Sequence, residues 1–212
     1  MLRRFAVLAI VALSVVSVAA QAPAGWSVRV DRSTSPSDPD NTPNLKFARM
    51  GTGVSCDGGD PLACSGIPRT PPRATSRRPP PFTLTKPSSH ANYYGLVIGG
   101  SDLAAANQSY IYFMVAQDGT YLIKHRAGEQ THDVKGYTKH EAVKVPGADG
   151  KSVNALEVRV AGDTISYVVN GTVVHTTPKT GMTAKTDGLV GVRINHVLDM
   201  HVDGFAVKER RA

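Results

Sequence analysis

The sequence predicts an all-β domain built as an antiparallel sandwich or barrel, and three features carry that expectation. Short runs alternate apolar and polar residues with a period of two, as half-buried strands require. Turn dipeptides separate these runs: Asp118-Gly119, Gly162-Asp163 and Asn170-Gly171 each fall between two of them. Beyond the N-terminal leader, no segment keeps a helical period over several turns.

The leader itself reads MLRRFAVLAIVALSVVSVAAQAPAGW. Arg3 and Arg4 precede an apolar run from Phe5 to Val18, and small residues follow at Ala19, Ala20 and Ala22. That is the layout of a secretory signal peptide cleaved near Ala20 or Ala22, so residues 1–22 are expected to be removed and the protein to be secreted or periplasmic. The run falls short of the roughly 20 apolar residues that span a bilayer, so no membrane attachment is expected after cleavage. What remains is about 190 residues, enough for one well-buried domain. It is assigned to a single β-sandwich over 23–208, with a charged tail at 209–212.

A net charge of +7 invites a nucleic-acid reading, but the charge lies outside the expected body. Arg3 and Arg4 leave with the leader. Four arginines between Arg69 and Arg78, against Asp57 and Asp60, belong to the Pro-rich stretch described below. Lys208, Arg210 and Arg211 sit at the C-terminus beside Glu209. The body that remains is close to neutral, with no basic stripe and interleaved aromatics to follow a phosphate backbone. Nucleic acid is not an expected partner.

The strands follow in order. "NYYGLVIGG" (Asn92 to Gly100) is an apolar run closed by glycines, and "QSYIYFMVAQDGTYLIKHR" is a hairpin across Asp118-Gly119. Within it Ile111, Phe113 and Val115 form the more uniformly apolar face and are assigned to the core. Tyr110, Tyr112 and Met114 take the other face, so Tyr110 and Tyr112 are expected to face a groove or solvent. "NALEVRVAGDTISYVVNGTVVHTT" repeats the scheme twice. "DGLVGVRINHVLDMHVDGFAV" supplies the closing strands, with Leu198, Met200 and Val202 on one face and Asp199, His201 and Asp203 on the other.

One stretch departs from this pattern. "SCDGGDPLACSGIPRTPPRATSRRPPP", Ser55 to Pro81, holds both cysteines and seven of the fourteen prolines, with no Val, Phe, Tyr or Trp. It is expected to be irregular over 54–81, since proline cannot donate to a strand ladder. A Cys56–Cys64 disulfide or a solvated linker would each suit an exported chain.

From "GWSVRVDRS" to "VDGFAV" the chain resembles the secreted concanavalin-like, laminin G-like jelly rolls of bacteria. These are grouped with 3-keto-disaccharide hydrolase domains and lie near glycoside hydrolase family sixteen. The resemblance rests on "KPSSHANYYGLVIGGSDL", "SYIYFMVAQDGTYLIKHR", "NALEVRVAGDTISYVVNGTVVH" and "TDGLVGVRINHVLDMHVDGF". It implies a jelly-roll β-sandwich and a carbohydrate partner. In such relatives the interval before an "FTLTKPS"-like strand has nearly the same length but holds strand residues around a Phe-Trp-Asn-Pro segment. Codons for Cys64 to Pro68 can be chosen as TGT TCT GGA ATC CCC, which with the preceding G read GTG TTC TGG AAT CCC, or Val-Phe-Trp-Asn-Pro. The stretch is therefore read as a compensated frameshift.

Catalytic chemistry is sparse. A glycosidase pairs two carboxylates across the scissile bond, yet the chain has four glutamates, Glu129, Glu141, Glu157 and Glu209, and no Glu-x-Asp-x-x-Glu strand. Glu157 reads as an exposed strand position beside Arg159. Asp199, His201 and Asp203 share a strand face at about 6.6 Å intervals. They could line a sugar groove, sit on a solvated face, or help loop oxygens hold a calcium ion. No other cofactor is expected, and no His/Cys set has zinc spacing. Tyrosine suits sugar stacking, because its ring meets the apolar face of a pyranose while its hydroxyl hydrogen-bonds. The candidate ligand-binding residues are thus Tyr110 and Tyr112, with His90, Lys124, Arg126, Arg193, Asn195 and His201 as polar neighbours. Glycan binding is the leading expectation; a hydrolase of 3-keto-disaccharides or related glycosides, or a structural envelope domain, are the alternatives. The coding DNA across Gly53 to Phe82 is expected to spell Val-Phe-Trp-Asn-Pro in another frame. Its absence from both alternative frames, read by sequencing the gene, removes the frameshift reading.

Overall fold

The computed structural model of the chain describes residues 26–27, 45–50, 53–58, 67–68, 79–195, 198–205 and 207. The leader at 1–22, Cys64 and the tail at 209–212 lie outside the described residues. Two antiparallel sheets face one another as a jelly-roll β-sandwich. One holds seven strands in the order β12-β11-β10-β5-β14-β3-β2, from Thr172–Pro178, Thr164–Val169, Ser152–Ala161, Pro81–Lys86, Asp199–Val202, Gly53–Gly58 and Leu45–Met50. The other holds five, β13-β6-β7-β8-β9, from Leu189–Ile194, Tyr93–Ser101, Ser109–Ala116, Thr120–Ala127 and Gln130–Lys139. A short pair, β1 (Trp26–Ser27) with β4 (Ile67–Pro68), forms a separate two-stranded sheet, with Trp26 packed against the core. The one helical element among the described residues is a 3₁₀ turn at Gly181–Thr183.

The turn dipeptides act as their chemistry requires. Asp118 Oδ1 accepts from the Thr120 amide (3.0 Å) and hydroxyl (2.6 Å), and Gly119 takes φ +85°, reversing the chain between β7 and β8. Asn170 and Gly171 both hold positive φ, the conformation of the two-residue loop that matches strand twist, between β11 and β12.

Period-two alternation places the core. Phe82 and Leu84 of β5, Tyr94 and Leu96 of β6, Ile111, Phe113 and Val115 of β7, and Met200 and Val202 of β14 all point between the sheets. Phe113 meets Tyr167 of the opposite sheet edge-on at 5.4 Å between ring centres, and Phe82 stacks on Tyr94 at 5.9 Å.

The stretch expected to be irregular over 54–81 is not so at its ends. Gly53–Gly58 runs as a full strand between β14 and β2, and Pro81 opens β5, a central strand. Proline is tolerated as the first residue of a strand, where the missing N–H interrupts no ladder. Residues 59–66 and 69–78 lie outside the described residues.

One polar side chain ties the layers together. Asn154, on β10, is wholly buried and uses all of its capacity. Its Nδ2 donates to Tyr94 Oη (3.0 Å) and the Lys144 carbonyl (2.9 Å); its Oδ1 accepts from the Lys144 amide (2.9 Å) and Asn170 Nδ2 (2.9 Å). Asn170 also donates to the Ala142 carbonyl and accepts from the Ala155 amide. Removing the amide strands several buried groups at once, each at about 1–3 kcal/mol. Asn154→Ala is expected to lower unfolding stability by about 3 kcal/mol or more. Val153→Thr, at a position 45% exposed on the other face of the same strand, should change it by less than about 0.5 kcal/mol. Urea denaturation of the two variants makes the comparison.

Candidate functional site

The face of the five-stranded sheet turned away from the core carries a second cluster rather than an open groove. Tyr93 and Val97 of β6, Leu103 of the β6–β7 loop, Tyr110, Tyr112 and Met114 of β7, and Leu122 of β8 pack together there. Tyr110 and Tyr112 are on the face that alternation assigns them, but they are 3% and 5% exposed. They do not look out on a groove or solvent.

The cause is Arg193. On β13 it sits opposite Gly95 of β6, and Gly95 sits opposite Met114 of β7. With no side chain at Gly95, the arginine reaches over β6 to the tyrosines beyond. A Cβ at Gly95 would run into the Phe113 carbonyl and the Met114 backbone, so β6 and β7 approach as closely as they do only around glycine. The guanidinium carbon stands 4.8 Å from the Tyr112 ring centre and 5.8 Å from that of Tyr110. Nη1 donates to Tyr110 Oη at 2.5 Å and Nε donates to Asn195 Oδ1 at 3.1 Å. Asn195 is anchored in turn by its amide, which donates to the Tyr93 carbonyl.

The opposite border of this cluster is open. Tyr112 pairs across with Lys124 of β8, and Lys124 with Asp133 of β9. The ammonium bonds Asp133 at 3.0 Å and lies 5.1 Å from the ring centre of Tyr137. Tyr137 leans on Tyr93 at 5.4 Å between ring centres and is 65% exposed. Tyr93 is fixed by a 2.6 Å hydrogen bond between its hydroxyl and that of Thr120. Arg126 pairs across with Tyr110, and its Nε donates to the Gly128 carbonyl at 2.6 Å.

Charge on the face is set by burial and by these cations. Burial pushes the Tyr112 phenol up, while Arg193, Lys124 and Arg126 pull it partly back. Burial pulls the Lys124 ammonium down, but the hydrogen bond to Asp133 and the nearby tyrosines outweigh it and hold it above the ordinary lysine value.

Six of the eight sequence candidates therefore meet on one face: Tyr110, Tyr112, Lys124, Arg126, Arg193 and Asn195. His90 stays in the exposed loop leading into β6, where its carbonyl accepts from Ser88 Oγ. His201 belongs to the other sheet. It alternates with core residues Met200 and Val202, pairs in register with Thr83, and faces outward with a buried Nδ1 that has no hydrogen-bond partner among the described residues. Asp199 shares that face. Among the described residues no three His, Cys, Asp or Glu side chains converge on a metal position. Glu157 is bound to Arg159 at 2.8 Å, as the sequence suggests.

Tyr137 is the functional candidate that sequence reading passes over. Its strand, "QTHDVKGYTK", has no apolar alternation to mark it, being an edge strand with register shifts against β8. An aromatic among charged residues of an edge strand is the one available signal.

No protein-family description and no curated protein sequence matches the chain. In structure it is similar to the carbohydrate-binding module CBM66 from Bacillus subtilis, with a TM-score of 0.55 at 9% identity over 85% of this chain and 92% of that one. It also matches sheep galectin-11 in complex with glycerol, at 12% identity, TM-score 0.39, over 75% and 95% of the two chains. A galectin of Caenorhabditis elegans matches at 15% identity, TM-score 0.33, over 74% and 99%. The likeness to the module shows a shared β-sandwich fold.

Five tyrosines, Tyr93, Tyr94, Tyr112, Tyr121 and Tyr167, have phenols pushed up mainly by burial. A phenol whose folded pKa exceeds its unfolded value near 10 contributes stability that is intact below pH about 10 and lost as pH rises further. The unfolding free energy is accordingly expected to fall steeply above that pH. Phenolate absorbance from these five should grow together with loss of near-ultraviolet dichroism rather than ahead of it. Full ionisation of them in a still-folded protein contradicts the burial assigned here.

Proposed function

We propose that this chain is an exported or periplasmic carbohydrate-binding β-sandwich, with its glycan on the outer face of the five-stranded sheet at the border of Tyr137, Lys124 and Asp133. The observation that carries this reading is Tyr137, an aromatic ring left open on a sheet face, backed by Tyr93 and flanked by an ion pair. A pyranose needs an apolar platform for its C–H face and charged or polar groups at the ring edge for its hydroxyls. Tyr137 offers the first; Lys124 and Asp133 offer the second. Support in kind comes from the sandwich shared with a carbohydrate-binding module. The leader sequence supports export.

The resemblance to 3-keto-disaccharide hydrolase domains supports a second reading, in which the chain cleaves such sugars. Among the described glutamates, Glu129 and Glu141 are exposed in connecting segments and Glu157 is bound to Arg159. This scatter favours binding over cleavage.

Glycan screening of the pure protein should find a ligand whose affinity falls by about 1 kcal/mol or more, several-fold at least, in Tyr137→Ala. Tyr137→Phe should keep most of it, and neither change should shift the melting temperature appreciably. Turnover of a 3-keto-disaccharide without glycan retention would move the assignment to the hydrolase. A bound glycan indifferent to Tyr137→Ala removes the site.

A further inference from the structure

We propose that the saccharide held on this face is acidic, its carboxylate or sulfate docking on Arg126 and Lys124 while its ring lies against Tyr137. The inference rests on the glycan-binding reading above and narrows it to one ligand class.

Three cations, Arg193, Lys124 and Arg126, surround the Tyr110–Tyr112 pair, one from β13 and two from β8. Cross-strand pairing fixes their places: Tyr112 opposite Lys124, Tyr110 opposite Arg126, then Asp133 and Thr131 as the next neighbours on β9. Asp133 is the one described carboxylate paired with any of them, and it binds Lys124. Arg193 is buried and committed to Tyr110 and Asn195, so it supplies positive potential rather than a contact.

Arg126 is different. Its Nε is held by the Gly128 carbonyl, which orients the guanidinium at the β8–β9 turn. Among the described residues no carboxylate pairs with its two terminal nitrogens. A half-buried guanidinium held by its Nε, with no ion pair at its terminal nitrogens among the described residues, suits two parallel hydrogen bonds to a carboxylate or sulfate. Lys124 lies two residues earlier on the same strand face. Its partner Asp133 is 58% exposed, so an incoming anion can share or replace it at little cost. A neutral sugar would leave this local excess of positive charge unanswered; an acidic one complements it.

The test uses the full chain and four polymers: oligogalacturonate, its carboxyl-reduced neutral counterpart, dextran sulfate and dextran. Calorimetry at low salt should show at least one acidic polymer binding tenfold or more tightly than its neutral counterpart. Which of the two wins separates carboxylate from sulfate. Raising ionic strength should weaken that binding. Arg126→Gln should reduce it about tenfold and Lys124→Gln several-fold, while Lys151→Gln, an exposed cation in the turn before β10, leaves it unchanged. Melting temperatures of all three should match the parent, keeping a loss of affinity distinct from a loss of fold.

Equal affinity for acidic and neutral polymers, with Arg126→Gln silent, overturns the acidic-ligand inference and leaves glycan binding intact. Acidic polymers bound equally by all three variants point to diffuse charge and overturn it as well. So does a single-stranded oligonucleotide bound as tightly with the same Arg126 dependence. Failure of all four polymers, in a protein that also retains no glycan on screening, sinks both readings together.

Discussion

A buried amide costs several kcal/mol unless each of its donors and acceptors finds a partner, and Asn154 sits where a single arrangement of the two sheets supplies them all. Its partners come from three separate places: the phenol of Tyr94 on the facing sheet, the backbone of Lys144 in the long connection between β9 and β10, and Asn170 in the β11–β12 turn. Hydrophobic contacts alone tolerate sliding of one sheet over the other, because apolar attraction has no direction. The hydrogen bonds do not. Asn154 therefore fixes where β6 lies over β10, and it fixes the path of the connection that sends Val143 into the core.

The position of β6 then decides what its outer face can hold. Tyr94 points inward to Asn154, so its neighbours Tyr93 and Gly95 must point outward. Tyr93 becomes the support for Tyr137, and Gly95 becomes the opening through which Arg193 crosses to Tyr110 and Tyr112. A shift of β6 by one residue would turn Gly95 inward and Tyr94 outward, and both the core bond and the arginine's path would be lost. The candidate site is thus the reverse side of the contact that holds the sheets in register.

Much of this was legible in the sequence, because alternation is a strong signal wherever one face is uniformly apolar. Ile111, Phe113 and Val115 read as core and Leu198, Met200 and Val202 as one shared apolar face, and the structure places all six in the core. Alternation says which face a side chain takes, but not whether that face is covered. Tyr110 and Tyr112 were on the correct side and still buried, because their cover comes from Arg193, a residue more than eighty positions away. Nor does alternation say which sheet a strand joins, so His201 read as a neighbour of Tyr110 and lies instead on the outer face of the other sheet. Asn154 had no signal, since a polar residue opening a strand looks like the end of a loop. The strand at Gly53–Gly58 had none either: its place between β14 and β2 is a matter of long-range pairing, not of local composition.

Magnitudes decide which part of the face can meet a ligand. Exposing Tyr112 would require moving Arg193 off two rings, at about 0.5–2 kcal/mol for each cation–π contact. It would also break hydrogen bonds to Tyr110 and Asn195, charge-assisted bonds contributing about 1.5–3 kcal/mol apiece. A sugar stacked on the ring returns on the order of 1 kcal/mol from that contact. The inner tyrosines are therefore not a platform waiting for a ligand; they are what holds the arginine, and its charge, in place. Tyr137 needs no such displacement, since its ring is already open and rests on Tyr93. The proposed recognition therefore falls to the β8–β9 border, where the Tyr137 ring is exposed, the Lys124–Asp133 ion pair is partly exposed and Arg126 is held through its Nε. The buried half supplies the fixed positive field that this border works against.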